Sequence, residues 1–261
     1  STWFKRKEPR EVYYKSYKHY PEATEEEIEA AANIINEAKK PFMLTGGGVA
    51  IGDASEEVIA LAEKARIPVA STLMGLGSFP GTHPLFIGLL GMHGNKTSNI
   101  AVSEADLFIA VGARFSDRVI SNVKAFAPNA KIMHLDIDPA EIGKNINVHY
   151  PLTGNIKRIL RKLVEKVKNK EDSDWNRKIE EWKSQYGLRY QQNGTLKPQY
   201  IVERIYELTK GEAIITTEVG QNQLWAAQFY KYISPRQFIS SGGLGTMGFG
   251  LGASIGAQIG R

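Results

Sequence analysis

The sequence predicts an α/β protein in which a doubly wound parallel sheet forms a central domain and the incomplete start of a second parallel α/β domain follows. Short apolar segments of strand length alternate with longer segments whose apolar residues recur at helical spacing. Glycine or a polar residue follows most of the apolar segments, which indicates strand ends. Strands that alternate with helices form parallel sheets with right-handed crossovers.

The composition is typical of a globular protein. The 261 residues suggest about two domains, and 42% hydrophobic with 23% charged residues does not favour a disordered or fibrous chain. No apolar run approaches the roughly 18 residues that a membrane span needs, so we expect a cytoplasmic protein without a membrane partner. The absence of cysteine excludes disulfides, thiolate nucleophiles and cysteine-bound metals.

The net charge of +5 raises the question of nucleic-acid binding. The lysines and arginines are scattered, however, and the two densest stretches, residues 5–18 and 157–170, are interpreted as solvated faces. We therefore expect no nucleic-acid partner and consider an anionic cofactor the better match.

The first elements belong to the predicted central domain, residues 25–167. Residues 1–24 have no period and are interpreted as a connector. Thr24 and Glu27 form a capping box that starts a helix. An amphipathic helix over residues 156–167 closes the domain. The predicted strands of this domain cover residues 42–45, 67–71, 107–111 and 131–136.

The second part of the chain begins after residues 168–197, which lose the strand rhythm and are predicted to be a linker. Pro198 suits the first turn of a helix. Strands are predicted over residues 213–217 and 237–240. Because two parallel strands cannot bury both faces of a sheet, residues 198–261 are expected to be the truncated N-terminal part of a domain.

Residues that could carry chemistry follow the predicted strands. The glycines of residues 46–48 lie between a strand and a helix, where backbone N–H groups can approach a phosphate, although a tight turn without a ligand also explains them. A nicotinamide dehydrogenase would need an acidic residue about 20 positions on, and residues 68–71 contain none. Several strand ends carry residues that could contact a ligand. Together they indicate one long dinucleotide that lies across the edge of the sheet. These strand ends are residues 46–48, 72–74, 91–93, 112–114 and 136–138.

Two charged groups at strand ends have two interpretations each. Asp136 can accept a hydrogen bond from a ribose hydroxyl, or it can cap a helix that starts near Pro139. Arg114, Asp117 and Arg118 form either a surface salt bridge or a site in which a guanidinium binds a phosphate or a carboxylate.

Two segments of the second part offer backbone donors. Residues 218–223 lie between a strand and a helix and are interpreted as a diphosphate-binding turn or as a plain polar turn. Residues 242–248 are rich in glycine, which costs chain entropy on folding. This cost indicates that another group approaches the backbone closely.

Four segments in this order resemble the acetolactate synthase family of thiamine-diphosphate enzymes. They are GMHG at residues 91–94, GARFSDRV at 112–119, VGQNQLWAAQ at 219–228 and SGGLGTMG at 241–248. The resemblance runs from about residue 25 to the end of the sequence. Each glycine-rich segment is unspecific alone, but the combination is typical of this branch of the enzymes.

The resemblance implies that residues 25–167 bind FAD and that residues 198–261 begin the domain that binds thiamine diphosphate. The residues it implies for FAD are Gly47, Gly48, Thr72, Leu73, Met74, Gly91, Met92, His93, Gly112, Ala113, Arg114, Asp117, Asp136, Ile137 and Asn155. Residues 72–74 would lie near the isoalloxazine ring, and Gly47 and Gly48 near the diphosphate.

The resemblance also implies the contacts of the second cofactor and of the substrate. Val219, Gly220, Gln221 and Asn222 would hold the diphosphate of thiamine diphosphate, and Gly245 and Met247 would face its aminopyrimidine. The bulk of Met247 would keep the cofactor bent, although a core methionine is the alternative. Arg118 would bind the carboxylate of the second 2-ketoacid. Asn222 and Asn155 stand where many relatives have His and Asp.

The reaction implied by the resemblance joins two 2-ketoacids in branched-chain amino-acid biosynthesis. Thiamine diphosphate decarboxylates pyruvate, and the remaining two-carbon unit adds to the second ketoacid, while FAD is not needed as a redox agent. The activating glutamate and the Mg²⁺ motif are expected outside residues 1–261. The resemblance therefore implies that no catalytic residue and no metal ligand lies within residues 1–261, and the fragment alone is expected to be inactive. The parent enzyme is expected to be a homodimer or larger, with a regulatory subunit.

Two alternatives remain at this point. The first is another flavin-carrying carboligase, such as glyoxylate carboligase, or a decarboxylase or oxidase relative. The second is a nucleotide-binding domain without catalysis.

Overall fold

A computed structural model describes residues 22–123 and 125–261. The predicted connector, residues 1–24, therefore lies outside the described residues except for its last three positions. The strands of the central sheet are β1 (Pro41–Thr45), β2 (Val69–Ser71), β3 (Phe86–Leu89), β4 (Leu107–Val111), β5 (Lys131–Asp136) and β6 (Tyr150–Thr153). They are parallel and lie in the order β3-β2-β1-β4-β5-β6, which confirms the predicted parallel sheet.

Two of these strands, β3 and β6, are missing from the sequence prediction. Both lie at the edges of the sheet. β3 contains Gly88 and β6 contains Pro151. Neither strand therefore shows the continuous apolar run of a strand that is buried on both faces, and proline is tolerated only where it interrupts no ladder.

Helices cover both faces of this sheet. They are α1 (Glu25–Glu37), α2 (Gly47–Ile51), α3 (Ser55–Ala65), α4 (Lys96–Glu104), α5 (Asp117–Ile120), α6 (Ile156–Lys166) and α7 (Asp174–Tyr186). On one face α1, α3 and α6 bury Ile28, Leu61 and Leu160. On the other face α4 and α7 bury Val102 and Trp175. The sheet is doubly wound, as predicted.

The first helix begins at the predicted capping box. Thr24 Oγ1 accepts a hydrogen bond from the Glu27 N–H, and the Glu27 carboxylate accepts one from the Thr24 N–H. The helix then buries Ile28, Ala31 and Ile35 at the predicted spacing.

The segment predicted as a linker, residues 168–197, contains helix α7, which packs on the central sheet. Trp175 is buried, and its Nε1–H donates to the carbonyl of Pro41 at 2.9 Å. Asn176 Nδ2 donates to the carbonyl of Arg66 at 2.8 Å. The linker was predicted because no strand pattern is visible in this segment. The segment instead adds a helix that covers the central sheet, and no further strand accompanies it.

The second unit contains a small parallel sheet of β7 (Ile215–Thr216) and β8 (Phe238–Ile239). Its helices are α8 (Pro198–Leu208), α9 (Gln221–Phe229) and α10 (Phe249–Ile259). Pro198 occupies the first turn of α8, as predicted. Tyr232 and Phe238 pack with Leu76 and Leu89 of the central unit. The two units thus share a third apolar cluster.

Candidate functional site

The carboxyl ends of the six parallel strands meet at one edge of the central sheet. Thr45 pairs with Ser71 and Val111, and Asp136 pairs with Thr153. The last residues of the six strands and the segments that follow them include every position that the resemblance implies for FAD. The structure therefore brings the candidate flavin residues to a single edge, where ligands of open parallel sheets bind.

The crevice of this edge lies between β1 and β4, where the strand order reverses direction. Here the Gly48 N–H donates to the carbonyl of Gly112 at 3.0 Å. A Cβ on Gly46 would lie 2.1 Å from that carbonyl oxygen, and a Cβ on Gly48 would lie 2.7 Å from the Gly112 Cα. Close packing between the two loops therefore accounts for Gly46 and Gly48, because the loops contact each other through their backbones. Gly47 is only partly buried.

The segment after β2 faces the second unit. Thr72 Oγ1 accepts a hydrogen bond from the Gly75 N–H at 3.2 Å and caps a short 3₁₀ turn. Met74 is 47% exposed. A Cβ on Gly242 would lie 2.3 Å from Met74 Sδ and 3.4 Å from Leu73 Cδ2. The candidate isoalloxazine segment thus touches the glycine-rich segment of residues 242–248.

The segment after β3 is held by Asn99 of α4, which the sequence analysis missed. The Gly91 N–H donates to Asn99 Oδ1 at 3.1 Å, and Asn99 Nδ2 donates back to the Gly91 carbonyl at 3.0 Å. Met92 and His93 are exposed, and the His93 carbonyl accepts from Gln228 Nε2 of α9 at 2.9 Å. No sequence pattern distinguishes Asn99 from other polar helix residues, since its role depends on the position of α4.

The arginine cluster lies at the same edge. Arg114, Asp117 and Arg118 are exposed, and Arg118 Nε lies 3.9 Å from Asp117 Oδ2. The Arg118 carbonyl accepts from the Met92 N–H at 2.9 Å, which places this residue beside the segment after β3. An exposed ion pair of this length contributes little to stability, so the guanidinium groups are available to an anion.

The end of β5 carries Asp136 above the fully buried His134. Asp136 Oδ1 accepts from the Asp138 N–H at 3.0 Å, and no helix follows before residue 150. The helix-cap interpretation of Asp136 is therefore wrong. His134 Nε2 lies 3.7 Å from Asp136 Oδ2, and its ring packs edge-on against Phe115. Neither ring nitrogen of His134 has a hydrogen-bond partner among the described residues.

The pKa of Asp136 lies below its usual value of 3.8. Burial acts to raise this pKa, but the nearby His134 ring and the hydrogen bond from the Asp138 N–H together outweigh burial and lower it. A lowered pKa stabilises the folded state above the unfolded-state pKa, and this contribution is lost as the pH falls through the folded-state pKa.

We therefore expect Asp136→Asn to reduce the loss of stability below about pH 4. Urea unfolding at pH 6 and at pH values below 4 measures the change in the free energy of unfolding. Asp117→Asn is the control, because the Asp117 side chain is 83% exposed. An acid dependence of Asp136→Asn equal to that of the wild type would contradict the prediction.

Three other candidates lie at the same edge. Ala113 is buried under the crevice, and Ile137 is exposed beyond β5. Asn155 follows β6, where its Oδ1 accepts from the Arg158 N–H at 3.1 Å and caps α6. Its side-chain oxygen is therefore already engaged, while its backbone remains at the sheet edge.

The two helices that begin in the second unit differ at their N-termini. At α9, Gly220 has a φ of +120°, Val219, Gln221 and Asn222 are exposed, and no side chain caps the helix. At α10, both oxygens of Glu218 accept backbone hydrogen bonds from the first turn. Because an uncapped helix N-terminus favours an anion, the start of α9 suits a diphosphate better than the start of α10, where Glu218 already supplies a negative charge.

The glycine-rich segment before α10 is open on one side. Gly245 has a φ of +68°, and a Cβ there would lie 3.8 Å from Cγ1 of Val219. Met247 is 88% exposed, so the core interpretation of Met247 does not hold within the described chain.

Neither a metal centre nor a membrane span is found in the part of the chain that the structure describes. No group of three or more His, Cys, Asp or Glu side chains is arranged to hold a metal ion. No helix there combines the length and the apolar character that crossing a membrane requires.

Curated relatives share most of this chain. A probable acetolactate synthase large subunit of Methanocaldococcus jannaschii is 47% identical over 90% of the chain and 42% of the relative. The acetolactate synthase large subunit of Buchnera aphidicola subsp. Schizaphis graminum is 40% identical over 96% of the chain and 45% of the relative. Acetolactate synthase 2, chloroplastic, of Nicotiana tabacum is 47% identical over 90% of the chain and 36% of the relative. The chain thus spans less than half the length of these relatives.

Two family profiles match the two units. Residues 218–261 match the C-terminal TPP-binding domain of thiamine pyrophosphate enzymes. Residues 28–163, slightly more than half of the chain, match the central domain of the same enzymes. The profiles fall on the doubly wound sheet and on the unit with the uncapped helix α9, and the chain therefore belongs to the thiamine pyrophosphate enzyme family.

Proposed function

We propose that the chain is part of a cytoplasmic acetolactate synthase, which decarboxylates pyruvate and joins the two-carbon unit to a second 2-ketoacid. The observation that supports this proposal best is the contact between Met74 and Gly242. It brings the candidate flavin segment of the central unit against the candidate thiamine segment of the second unit. Similarity to acetolactate synthases over at least 90% of the chain supports the same reaction.

Thiamine diphosphate, the thiamine pyrophosphate of the family description, would be held by the second unit. The exposed N–H groups at the start of α9 fit its diphosphate, and the open segment around Gly245 and Met247 fits its aminopyrimidine. When bound, this cofactor stabilises the carbanion that decarboxylation leaves. Mg²⁺ would be bound together with the diphosphate.

FAD would lie across the carboxyl edge of the central sheet. Gly47 and the crevice beside Gly112 suit a close approach of its diphosphate, and Asp136 suits a ribose hydroxyl. The protein residues would hold and orient the flavin, and no electron transfer to it is needed in the proposed reaction. We further propose that the complete enzyme is a homodimer or larger. A regulatory subunit is proposed as its partner, because two of the relatives are described as large subunits.

Flavin retention and carboligation test the proposal. The purified chain is mixed with FAD and desalted, and its visible flavin absorption is recorded. The longest protein that the gene encodes is assayed for acetolactate formation from pyruvate with thiamine diphosphate and Mg²⁺. Flavin retained by the chain and cofactor-dependent acetolactate from the gene product would support the proposal. A chain that loses all flavin and a gene product that makes no acetolactate would refute it.

Arg118 is proposed to bind the carboxylate of the second 2-ketoacid. We expect Arg118→Gln to raise the KM for this ketoacid about tenfold, because a charge-assisted hydrogen bond is lost. Steady-state kinetics of the gene product, varied in the second ketoacid, measure the effect. Arg158→Gln is a matched control, since both arginine side chains are 69% exposed and Arg158 lies on α6. Equal KM values for the two variants would exclude this role.

A further inference from the structure

Glu218 links the two candidate thiamine segments. It lies two residues after the end of β7, and its side chain points to the start of α10. Oε2 accepts from the Gly248 N–H at 2.9 Å, and Oε1 accepts from the Gly250 N–H at 2.7 Å. Hydrogen bonds to a carboxylate are stronger than neutral ones, and a negative charge is favoured at a helix N-terminus. Both oxygens therefore tie the end of β7 to the first turn of α10.

Gly250 provides an independent indication that this contact is tight. A Cβ on Gly250 would lie 3.0 Å from Glu218 N, 3.0 Å from Glu218 Oε1 and 3.1 Å from the carbonyl carbon of Thr217. Gly250 lies within α10 and has an ordinary helical backbone, so it is not required for a turn. The missing side chain allows α10 to lie directly on the strand end.

The other side of the same strand end is fixed by buried hydroxyl groups. Thr217 Oγ1 donates to Ser240 Oγ at 2.8 Å, and Gln223 Nε2 of α9 donates to the same oxygen at 2.5 Å. These contacts join β7, β8 and α9. Glu218 extends this connected group to α10.

We propose that Glu218 is a positioning residue for thiamine diphosphate. Its carboxylate holds the glycine-rich segment, residues 242–247, at a fixed separation from the diphosphate segment, residues 219–222. The 3.8 Å approach of a Cβ on Gly245 to Val219 shows that these segments are direct neighbours. The same carboxylate occupies the N-terminus of α10, so the diphosphate is directed to α9. This inference rests on the proposed binding of thiamine diphosphate.

Glu218→Gln tests the inference, because glutamine keeps the length of the side chain but has one acceptor oxygen and no charge. In the gene product we expect amide hydrogen exchange of Gly248 and Gly250 to become about tenfold faster, while the Ser254 amide inside α10 is unchanged. The Kd for thiamine diphosphate in the presence of Mg²⁺, measured by calorimetry, should rise about tenfold, with an unchanged Kd for FAD. Glu218→Asp keeps the charge and should recover part of the affinity.

Gly250→Ala and Gly252→Ala form a second, matched pair. Both glycines lie in α10, and a Cβ on Gly252 would meet no atom within 4 Å. We expect Gly250→Ala to weaken thiamine diphosphate binding and Gly252→Ala to leave it unchanged.

Two results would overturn the inference. One is an unchanged Kd for thiamine diphosphate in Glu218→Gln despite faster exchange at Gly248 and Gly250. The other is equally fast exchange at Ser254, which would mean that Glu218 only folds the helix. A wild-type protein that binds no thiamine diphosphate would instead refute the proposed function, and exchange at Gly248 and Gly250 would still show whether Glu218 holds α10.

Discussion

Gly112→Ala is expected to lower the free energy of unfolding by about 3 kcal/mol and to abolish flavin retention. Gly112 has a φ of +58°, and a Cβ there would lie 2.7 Å from the Gly48 Cα and 2.8 Å from the Val49 N. These neighbours are backbone atoms, so no side chain can move aside. The loops after β1 and β4 would separate and open the crevice in which FAD is proposed to bind.

Gly143→Ala is the matched control for this prediction. Gly143 has a φ of +73°, but a Cβ there would meet no atom within 4 Å. It should therefore show only the backbone cost of the left-handed conformation, about 1 kcal/mol. Urea unfolding and flavin absorption after desalting are measured for both variants. Equal destabilisation of the two would mean that the contact between the loops contributes nothing.

Trp175→Ala is expected to have the second large effect, a loss of about 4 kcal/mol in the free energy of unfolding. Trp175 is buried in the core face formed with α4, packs edge-on against Trp182 and donates to the Pro41 carbonyl at the start of β1. Its removal leaves both a cavity and a buried carbonyl without its donor. Urea unfolding, followed by circular dichroism, measures the loss.

Trp175→Phe separates these two contributions. Phenylalanine keeps most of the buried ring but cannot donate to Pro41, so we expect a loss of about 1–2 kcal/mol. If Trp175→Ala lowers the free energy of unfolding by less than about 1 kcal/mol, the packing of α7 does not stabilise the central sheet and the helix acts only as a linker. The predicted domain boundaries around residues 168–197 would then gain support.

The interior of the central domain could be predicted from the sequence because its signals are local. β1, β2, β4 and β5 are short apolar runs, and α1 carries its own start signal in Thr24 and Glu27. The edge strands β3 and β6 lack such a run, and only their pairing with β2 and β5 makes them strands. Helix α7 likewise shows its function only through the contact of Trp175 with β1.

The candidate site also combines features with local sequence signals and features that depend on tertiary contacts. The glycine-rich segments and the strand-end residues were identified from their positions between strands and helices, since parallel strands bring their carboxyl ends to one edge. Their grouping at that edge and the contact of Met74 with Gly242 join residues far apart in the chain. The hydrogen bonds between Asn99 and Gly91 join nearer residues, but they depend on where α4 packs.

The sequence by itself determined the doubly wound sheet, the segments able to approach phosphates and the likeness to acetolactate synthases, because apolar period, turn chemistry and motif order are local properties. Only the tertiary structure decided which glycines serve packing and which helix N-terminus is open to an anion. Gly46 and Gly48 are needed for contact with Gly112, and Glu218 closes α10 but leaves α9 uncapped. These features depend on atoms brought within 3 Å by folding, which no local pattern specifies.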